Sequence, residues 1–268
     1  MKIIHFSDPH TGAFPDSISA FTDKRLVGTF NYTFKRRFLH NLEAFQKAVD
    51  YILAEKPEIA VCTGDITSTG QPAEFNTAVE ILQPLINSSD TKLIYIPGNH
   101  DAYVKNRRCR EALEATFSLL NEANPRLEAL PLKLTISDCD FLLVNECRPT
   151  NIFLSTGYMT QKSTEQITEW CSEEKLRPKI IIGHFPLRKK YTLMEFRHKI
   201  YYQEKIIKLL NEKKIDLSLC GHTHKPFLDI DKEGRGEIGA GSITRTNDLN
   251  IIEYDKKSDF FTHRLVII

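Results

Sequence analysis

The sequence predicts an α/β protein built on two β-sheets, and three observations carry that expectation. Short apolar, β-prone runs alternate with amphipathic helical spacings over most of the 268 residues, which is the signature of mixed α/β architecture. Five of these runs end abruptly in a short segment rich in Gly, Asp and His. They are Lys2–Phe6 before Asp8-Pro9-His10, Ile59–Cys62 before Gly64-Asp65, Leu93–Ile96 before Gly98-Asn99-His100-Asp101, Lys179–Ile182 before Gly183-His184, and Leu217–Cys220 before Gly221-His222-Thr223-His224. The C-terminal part adds strand-like runs separated by turns rather than helices. The arrangement that buries all of these is a four-layer α-β-β-α sandwich, two mixed sheets packed face to face with helices outside both.

The elements follow in order. Asn41–Ala54 places Leu42, Phe45, Val49, Ile52 and Leu53 at helical spacing, and Pro57 stops that helix. Pro72–Ile86 repeats the pattern with Phe75, Val79, Ile81, Leu82 and Leu85. Arg107–Asn121 and Lys162–Glu174 read as two more helices, the latter capped by Ser163 or Thr164, and Gln203–Asn211 as a fifth. Leu132–Ser137 and Asp140–Asn145 form an expected hairpin turning at Asp138-Cys139. Phe227–Asp231, Glu237–Ala240, Asn250–Tyr254 and Phe260–Ile267 complete the strands. With no internal repeat and no low-complexity linker, residues 1–268 are expected to form a single domain.

One stretch falls outside this skeleton. Residues 12–40 are long for a loop, and long loops are usually functional or disordered. Lys24, Arg25, Lys35, Arg36 and Arg37 are interleaved there with Phe21, Leu26, Phe30, Tyr32, Phe34, Phe38 and Leu39. Two readings stay open: a surface helix packing its aromatic face on the body, or a lid whose residues 21–39 meet an anionic, partly apolar substrate or a membrane surface.

Composition sets the wider frame. Hydrophobic residues are 41% and charged residues 26% of the chain, an ordinary balance for a soluble globular protein. A formal charge of +1 gives no global field for nucleic acid. The six cysteines include no C-x-x-C pair, and Cys62 and Cys220 lie inside strand runs, so buried hydrophobes in a reducing cytoplasm are expected. Met1 leads straight into a strand, which argues against a secretory signal. No apolar run approaches the roughly 18 residues of a spanning helix, so the expected location is the cytoplasm, free or peripheral to a membrane.

Strands that end together deliver their following loops to one edge, where open α/β sheets build their sites. Asp8, His10, Asp65, Asn99, His184, His222 and His224 are seven good metal ligands that can converge at such an edge, which points to a two-metal hydrolase. The ordered set D-x-H, G-D, G-N-H-D, G-H and G-H-x-H, running from Asp8 to His224, resembles the motifs of the calcineurin-like metallophosphoesterase superfamily. Gly64-Asp65-Ile66-Thr67 with Gly70 and Glu74, and His184-Phe185-Pro186, are similar to the class III cyclic-nucleotide phosphodiesterase branch.

The resemblance implies a binuclear centre of Mn²⁺, Fe or Zn²⁺, with Asp8, His10 and His224 on one metal, Asn99, His184 and His222 on the other, and Asp65 bridging. Such O/N donor sets suit those ions, and two ions about 3.5–4 Å apart clamp the oxygens of an in-line displacement. It also implies attack by a metal-bridging hydroxide, with His100 protonating the leaving group and Asp8 or Asp101 orienting the His100 imidazole. Asp101 has a second reading as the cap of the following helix. His5, His40, His198 and His263 lie outside the motifs and are assigned no role. Pro9 departs from the family pattern, and an extended Asp8 is expected to tolerate it.

The function so implied is hydrolysis of a small phosphate ester, most simply a phosphodiester such as a cyclic nucleotide. An alternative within the class is a UDP-2,3-diacylglucosamine-type pyrophosphatase acting on a lipid-linked substrate, motivated by residues 21–39. The alternative outside it is a catalytically inactive binding scaffold of the same fold. Nucleic acid is not an expected partner, and the oligomeric state is open.

Overall fold

A computed structural model describes residues 1–15, 18–21, 23–34, 40–151, 153–189 and 196–268. In chain order the elements are β1 (Lys2–Phe6), α1 (Arg25–Phe34), α2 (Leu42–Glu55), β2 (Ile59–Cys62), α3 (Pro72–Ile86), β3 (Lys92–Tyr95), α4 (Arg107–Leu120), β4 (Leu132–Ile136), β5 (Cys139–Leu143) and β6 (Gly157–Tyr158). They continue with α5 (Gln161–Ser172), β7 (Lys179–Ile182), β8 (Ile200–Tyr201), α6 (Glu204–Asn211), β9 (Leu217–Cys220), β10 (Phe227–Ile230), β11 (Gly236–Gly239), α7 (Ile243–Thr246), β12 (Asp248–Asp255) and β13 (Phe260–Ile267).

Two large mixed sheets carry the fold, ordered β13-β12-β1-β2-β3 and β10-β11-β9-β7-β5-β4. Each has a parallel centre: β1, β2 and β3 in the first, and β11, β9, β7 and β5 in the second. Strands β2, β7 and β9 are buried at every position, as parallel strands covered on both faces must be. Their continuous Ile, Val and Leu runs supply that burial, and one apolar core reaches from Ile3 and Val61 to Ile181 and Leu219. β1, β2, β3, β7 and β9, the strands that precede the five polar segments, are thus all members of these parallel centres.

Local signals explain the helix boundaries. Asn41 caps α2 by accepting from Glu43 N, and α2 ends at Lys56, whose φ is +46°, just before Pro57. α3 opens with a capping box between Gln71 and Glu74 and with Pro72 at its first position. Asn106 caps α4.

Two boundaries differ from the sequence reading. Thr160 caps α5, accepting from Ser163 N at 3.0 Å, because Ser163 and Thr164 already lie inside the first turn. The hairpin turns at Ser137-Asp138, one residue early, since Ser137 takes the positive φ of +51° and Ile136 pairs with Cys139.

In the 12–40 stretch the structure places helix α1 at Arg25–Phe34, with its Gly28 face packed on Thr69 and Tyr103. Lys35, Arg36, Arg37, Phe38 and Leu39 lie outside the described residues, as do the side chains of Tyr32 and Phe34. Cys62, Cys109, Cys139, Cys147, Cys171 and Cys220 are buried and form no disulfide. Among the described residues no helix is long and apolar enough to cross a membrane.

Candidate metal centre

The first two polar segments extend the β1–β2 pairing beyond the strands. Asp8 N, His10 N and Thr11 N donate to the carbonyls of Gly64, Asp65 and Ile66 at 3.0, 3.0 and 2.8 Å. Gly64 has φ +95°, and a Cβ there would lie 2.4 Å from Gly98 N, so only glycine lets the β2 and β3 loops touch. Asp8, His10, Asp65, His222 and His224 all have φ between +50° and +65°. Non-glycine residues in that region cost on the order of 1–3 kcal/mol each and cluster where function requires them.

These backbones aim the side chains at one point. Ligand atoms of Asp8, His10, Asp65 and His224 all lie within 4.8 Å of one another. His224 Nε2 is 3.2 Å from Asp8 Oδ1 and 2.9 Å from His10 Nε2, while His10 Nε2 is 3.6 Å from Asp8 Oδ1. A second group sits beside it: Asn99 Oδ1 is 3.1 Å from His184 Nε2 and 2.9 Å from His222 Nδ1. Asp65 Oδ2 lies between the two groups, 3.7 Å from His10 Nε2 and 3.5 Å from His184 Nε2.

For three of the four rings the outward nitrogen meets a backbone carbonyl. His10 Nδ1 faces the Thr67 carbonyl at 3.1 Å, His184 Nδ1 the Thr63 carbonyl at 2.7 Å, and His222 Nε2 the His198 carbonyl at 3.2 Å. A carbonyl only accepts, so each of those nitrogens carries the hydrogen and the opposite nitrogen presents a lone pair inward. Around Asn99 Oδ1 three lone pairs therefore face one another with no hydrogen between them. Asn99 Nδ2, which could have donated to both rings had the amide turned over, has no partner among the described residues, and neither has buried Asp8 Oδ1.

Lone pairs converging in this way repel unless a cation sits among them, and two ligands each about 2.1 Å from one ion stand roughly 3–3.5 Å apart. The donor set fits two divalent cations. Burial holds the His184 and His222 pKa values below the ordinary imidazole value, with the His184 charge adding to the effect at His222, so both stay in the neutral form that ligates. At Asp8, burial acts to raise the carboxyl, and His224, His10 and His184 together outweigh it, leaving the pKa well below the usual carboxylate value.

His100 is held beside Asp65. Its backbone N donates to Asp65 Oδ1 at 2.6 Å, and its Nδ1 lies 2.7 Å from the Ser68 carbonyl. A backbone oxygen, not Asp8 or Asp101, therefore orients this imidazole. Asp101 does not cap α4 either, because Asn106 does. Its buried carboxylate accepts from Thr67 N, Thr67 Oγ1, Tyr95 OH and Gly98 N, each at 2.9 Å, and from Ile66 N at 3.3 Å. It fastens the Asp65 loop to the Asn99 loop.

Asp8 is not extended as the following proline suggested. Its φ is +54°, a conformation aspartate tolerates better than most residues. Hydrogen bonds from Ser242 Oγ to the Asp8 carbonyl at 2.7 Å and from Thr244 Oγ1 to the Pro9 carbonyl at 2.8 Å hold the loop there.

The sequence profile of the calcineurin-like phosphoesterase family matches residues 1–226. The chain belongs to that family. No curated protein matches its sequence. Among solved structures it is similar to a dimetal phosphatase from Danio rerio, with a TM-score of 0.64 and 13% identity over 95% of this chain and 93% of that one. It is also similar to a purple acid phosphatase from yellow lupin (Lupinus luteus) seeds, with a TM-score of 0.55 and 12% identity over 99% of this chain and 53% of the lupin protein. A third likeness is to GAP50, the anchor in the inner membrane complex of Plasmodium, with a TM-score of 0.52 and 12% identity over 100% and 84% of the two chains. Similarity at these identities establishes the fold, and chemistry must be argued from the site.

As a calcineurin-like phosphoesterase, the chain also holds site residues that its motifs do not reveal. His40 lies 5.1 Å from His10 between ring centroids, its Nδ1 2.7 Å from Thr244 Oγ1. His198 lines a cavity of about 300 Å³ with Asp65, Asn99, His100, His222 and His224, and Ser155, Lys189 and Arg245 complete its polar wall. Glu146, pushed up to about 8 by burial, accepts from His184 N at 2.9 Å and Phe185 N at 2.8 Å. Only the continuity of Val144-Asn145-Glu146 with a buried strand hinted at it. His5 and His263 meet Asn250 away from the centre.

Proposed function

We propose that the protein is a metal-dependent phosphodiesterase in which His100 donates a proton to the leaving oxygen. The observation that carries this reading is the inward convergence of ligating side chains from Asp8, His10, Asp65, Asn99, His184, His222 and His224, with His100 on the same cavity wall. Two divalent cations held by those residues would polarise the phosphoryl oxygens and supply a hydroxide nucleophile near neutral pH. The two carboxylates, Asp8 and Asp65, offset half of the four positive charges, and neutral Asn99 adds none, so the site keeps a net attraction for a phosphate anion. A diester brings one negative charge on the reacting group and an alkoxide leaving group that needs a proton. His100, oriented through Nδ1 by the Ser68 carbonyl, would supply that proton from Nε2. Lys189 and Arg245 on the wall favour an anionic substrate.

A second reading keeps the centre and changes the substrate to the pyrophosphate of a UDP-linked lipid. It is favoured by the exposed Phe21, Leu26 and Phe30 of the 12–40 stretch. Assay of the Mn²⁺-reconstituted protein against 3′,5′-cyclic AMP, bis-p-nitrophenyl phosphate, p-nitrophenyl phosphate and a UDP-sugar lipid decides between them. Diester turnover exceeding monoester turnover carries the first reading. Turnover confined to the lipid carries the second, and no turnover on any of the four sinks both.

A further inference from the structure

A formal charge of +1 conceals an uneven distribution. Three stretches of sequence, 13–40, 148–160 and 187–203, hold eleven Lys or Arg and three Asp or Glu, whereas the rest of the chain holds 25 and 32. Their described parts are neighbours in space. Lys24 Nζ donates to Thr150 Oγ1 and to the Leu154 carbonyl, both at 2.9 Å. Ser155 N donates to the Arg197 carbonyl at 2.8 Å and Gly157 N to the Lys199 carbonyl at 3.1 Å, and the β6–β8 pairing continues that contact. The layer so formed borders the cavity through Ser155, Lys189 and His198.

Its outer side is apolar as well as basic. While α1 packs Gly28 inward, Leu26 and Phe30 point outward, 47% and 62% exposed, and Phe21 and Phe153 are 53% and 71% exposed. The Arg197 guanidinium stands 6.0 Å from the Phe153 ring. The one described carboxylate of the three stretches, Asp23, is paired with Arg25 at 2.8 Å. Protein interfaces are depleted in Lys at their cores, whereas aromatic and aliphatic side chains interleaved with Lys and Arg suit the headgroup zone of an anionic bilayer.

We propose that this layer seats the protein on an anionic phospholipid bilayer, the exposed Phe and Leu side chains entering the headgroup zone and exposed cations such as Arg148 and Arg197 meeting lipid phosphates, Lys24 and Arg25 being buried within the layer. The metal centre then opens at the membrane surface. Flotation with vesicles of mixed phosphatidylcholine and phosphatidylglycerol, against phosphatidylcholine alone, tests it. The expected result is about tenfold more protein on the anionic vesicles, released by added salt.

Replacing both Leu26→Glu and Phe30→Glu should cost about tenfold in vesicle binding. Hydrolysis of bis-p-nitrophenyl phosphate and the thermal midpoint should stay at wild-type values. Absence of binding to anionic vesicles, or equal binding by the double variant, overturns the proposal. So does a dimer seen by light scattering that the double variant dissolves while vesicles remain unbound, which would assign the face to a second copy. Wild-type protein that floats but hydrolyses no soluble diester leaves the membrane assignment standing and removes only the phosphodiesterase reading.

Discussion

Tyr103 lies flat on His100, with ring centroids 5.1 Å apart and planes 14° apart. The Lys24 ammonium stands 4.5 Å from the centroid of the same Tyr103 ring. Offset stacking fixes a ring's plane without a hydrogen bond, so His100 is held at Nδ1 by a carbonyl and across its face by Tyr103. The basic-aromatic layer therefore reaches the proposed proton donor through a single side chain.

Replacing His100 with Ala should keep both metals and lower kcat by about 10²–10⁴. The loss should be larger for alkyl than for p-nitrophenyl leaving groups, because poor leaving groups depend more on protonation. Steady-state kinetics with metal analysis checks this, and equal losses on both classes would contradict proton donation. Tyr103→Leu should cost about tenfold in kcat with KM little changed, since it misaligns the donor rather than removing it.

Asp65→Asn should empty both metal positions together, because Asp65 Oδ2 stands between His10 and His184 at 3.7 and 3.5 Å. Elemental analysis of protein purified in Mn²⁺ reads the outcome directly. One retained metal per chain would show that the carboxylate serves a single ion. Chelator treatment of the wild type should lower the thermal midpoint, as ligands that bind only the native state stabilise it by mass action, and Mn²⁺ should restore it.

Asp101→Ala should destabilise the fold by about 3 kcal/mol and reduce metal content, since four donors from the two loops and Tyr95 of β3 lose their shared acceptor. Urea denaturation gives the first quantity and metal analysis the second. A drop in stability with full metal content would separate the scaffold from the site.

Stability should fall as pH drops below about 6.5, the ordinary His value. His5 is fully buried, and burial, followed by the charge of His263, lowers its pKa to about 3. Above that window neither the folded nor the unfolded chain protonates His5, and its contribution is intact. Between about 6.5 and 3 the unfolded chain takes up a proton that the native state refuses, costing up to about 1.4 kcal/mol per pH unit. Denaturation midpoints of wild type and His5→Gln across this range should diverge, the variant giving the flatter profile. Parallel profiles would show that other groups dominate.

Much of the fold was legible because parallel strands buried on both faces are written as apolar runs, and five of them here, β1, β2, β3, β7 and β9, are each followed by one of the polar segments. The seven expected ligands converge for the same reason: strand ends fix where the following loops go. His40, His198 and Glu146 were not legible, since their nearness to the centre comes from how separate stretches cross, which no local pattern encodes. Asp8 was misread as extended because the restraint of Pro9 was weighed alone, whereas hydrogen bonds from Ser242 and Thr244 set the conformation. The α5 cap slipped by three or four residues because Thr160, Ser163 and Thr164 are of similar type and compete for one position, and the hairpin turn slipped by one.

His10 and His224 touch although 214 positions separate them in sequence. An ion held by both would tie the loop after β1 to the loop after β9, within the span that the β1–β12 pairing already closes. A ribosome-bound chain lacking the residues around His224 would have only half a grip, and tight binding would begin once the last ligand loop has emerged.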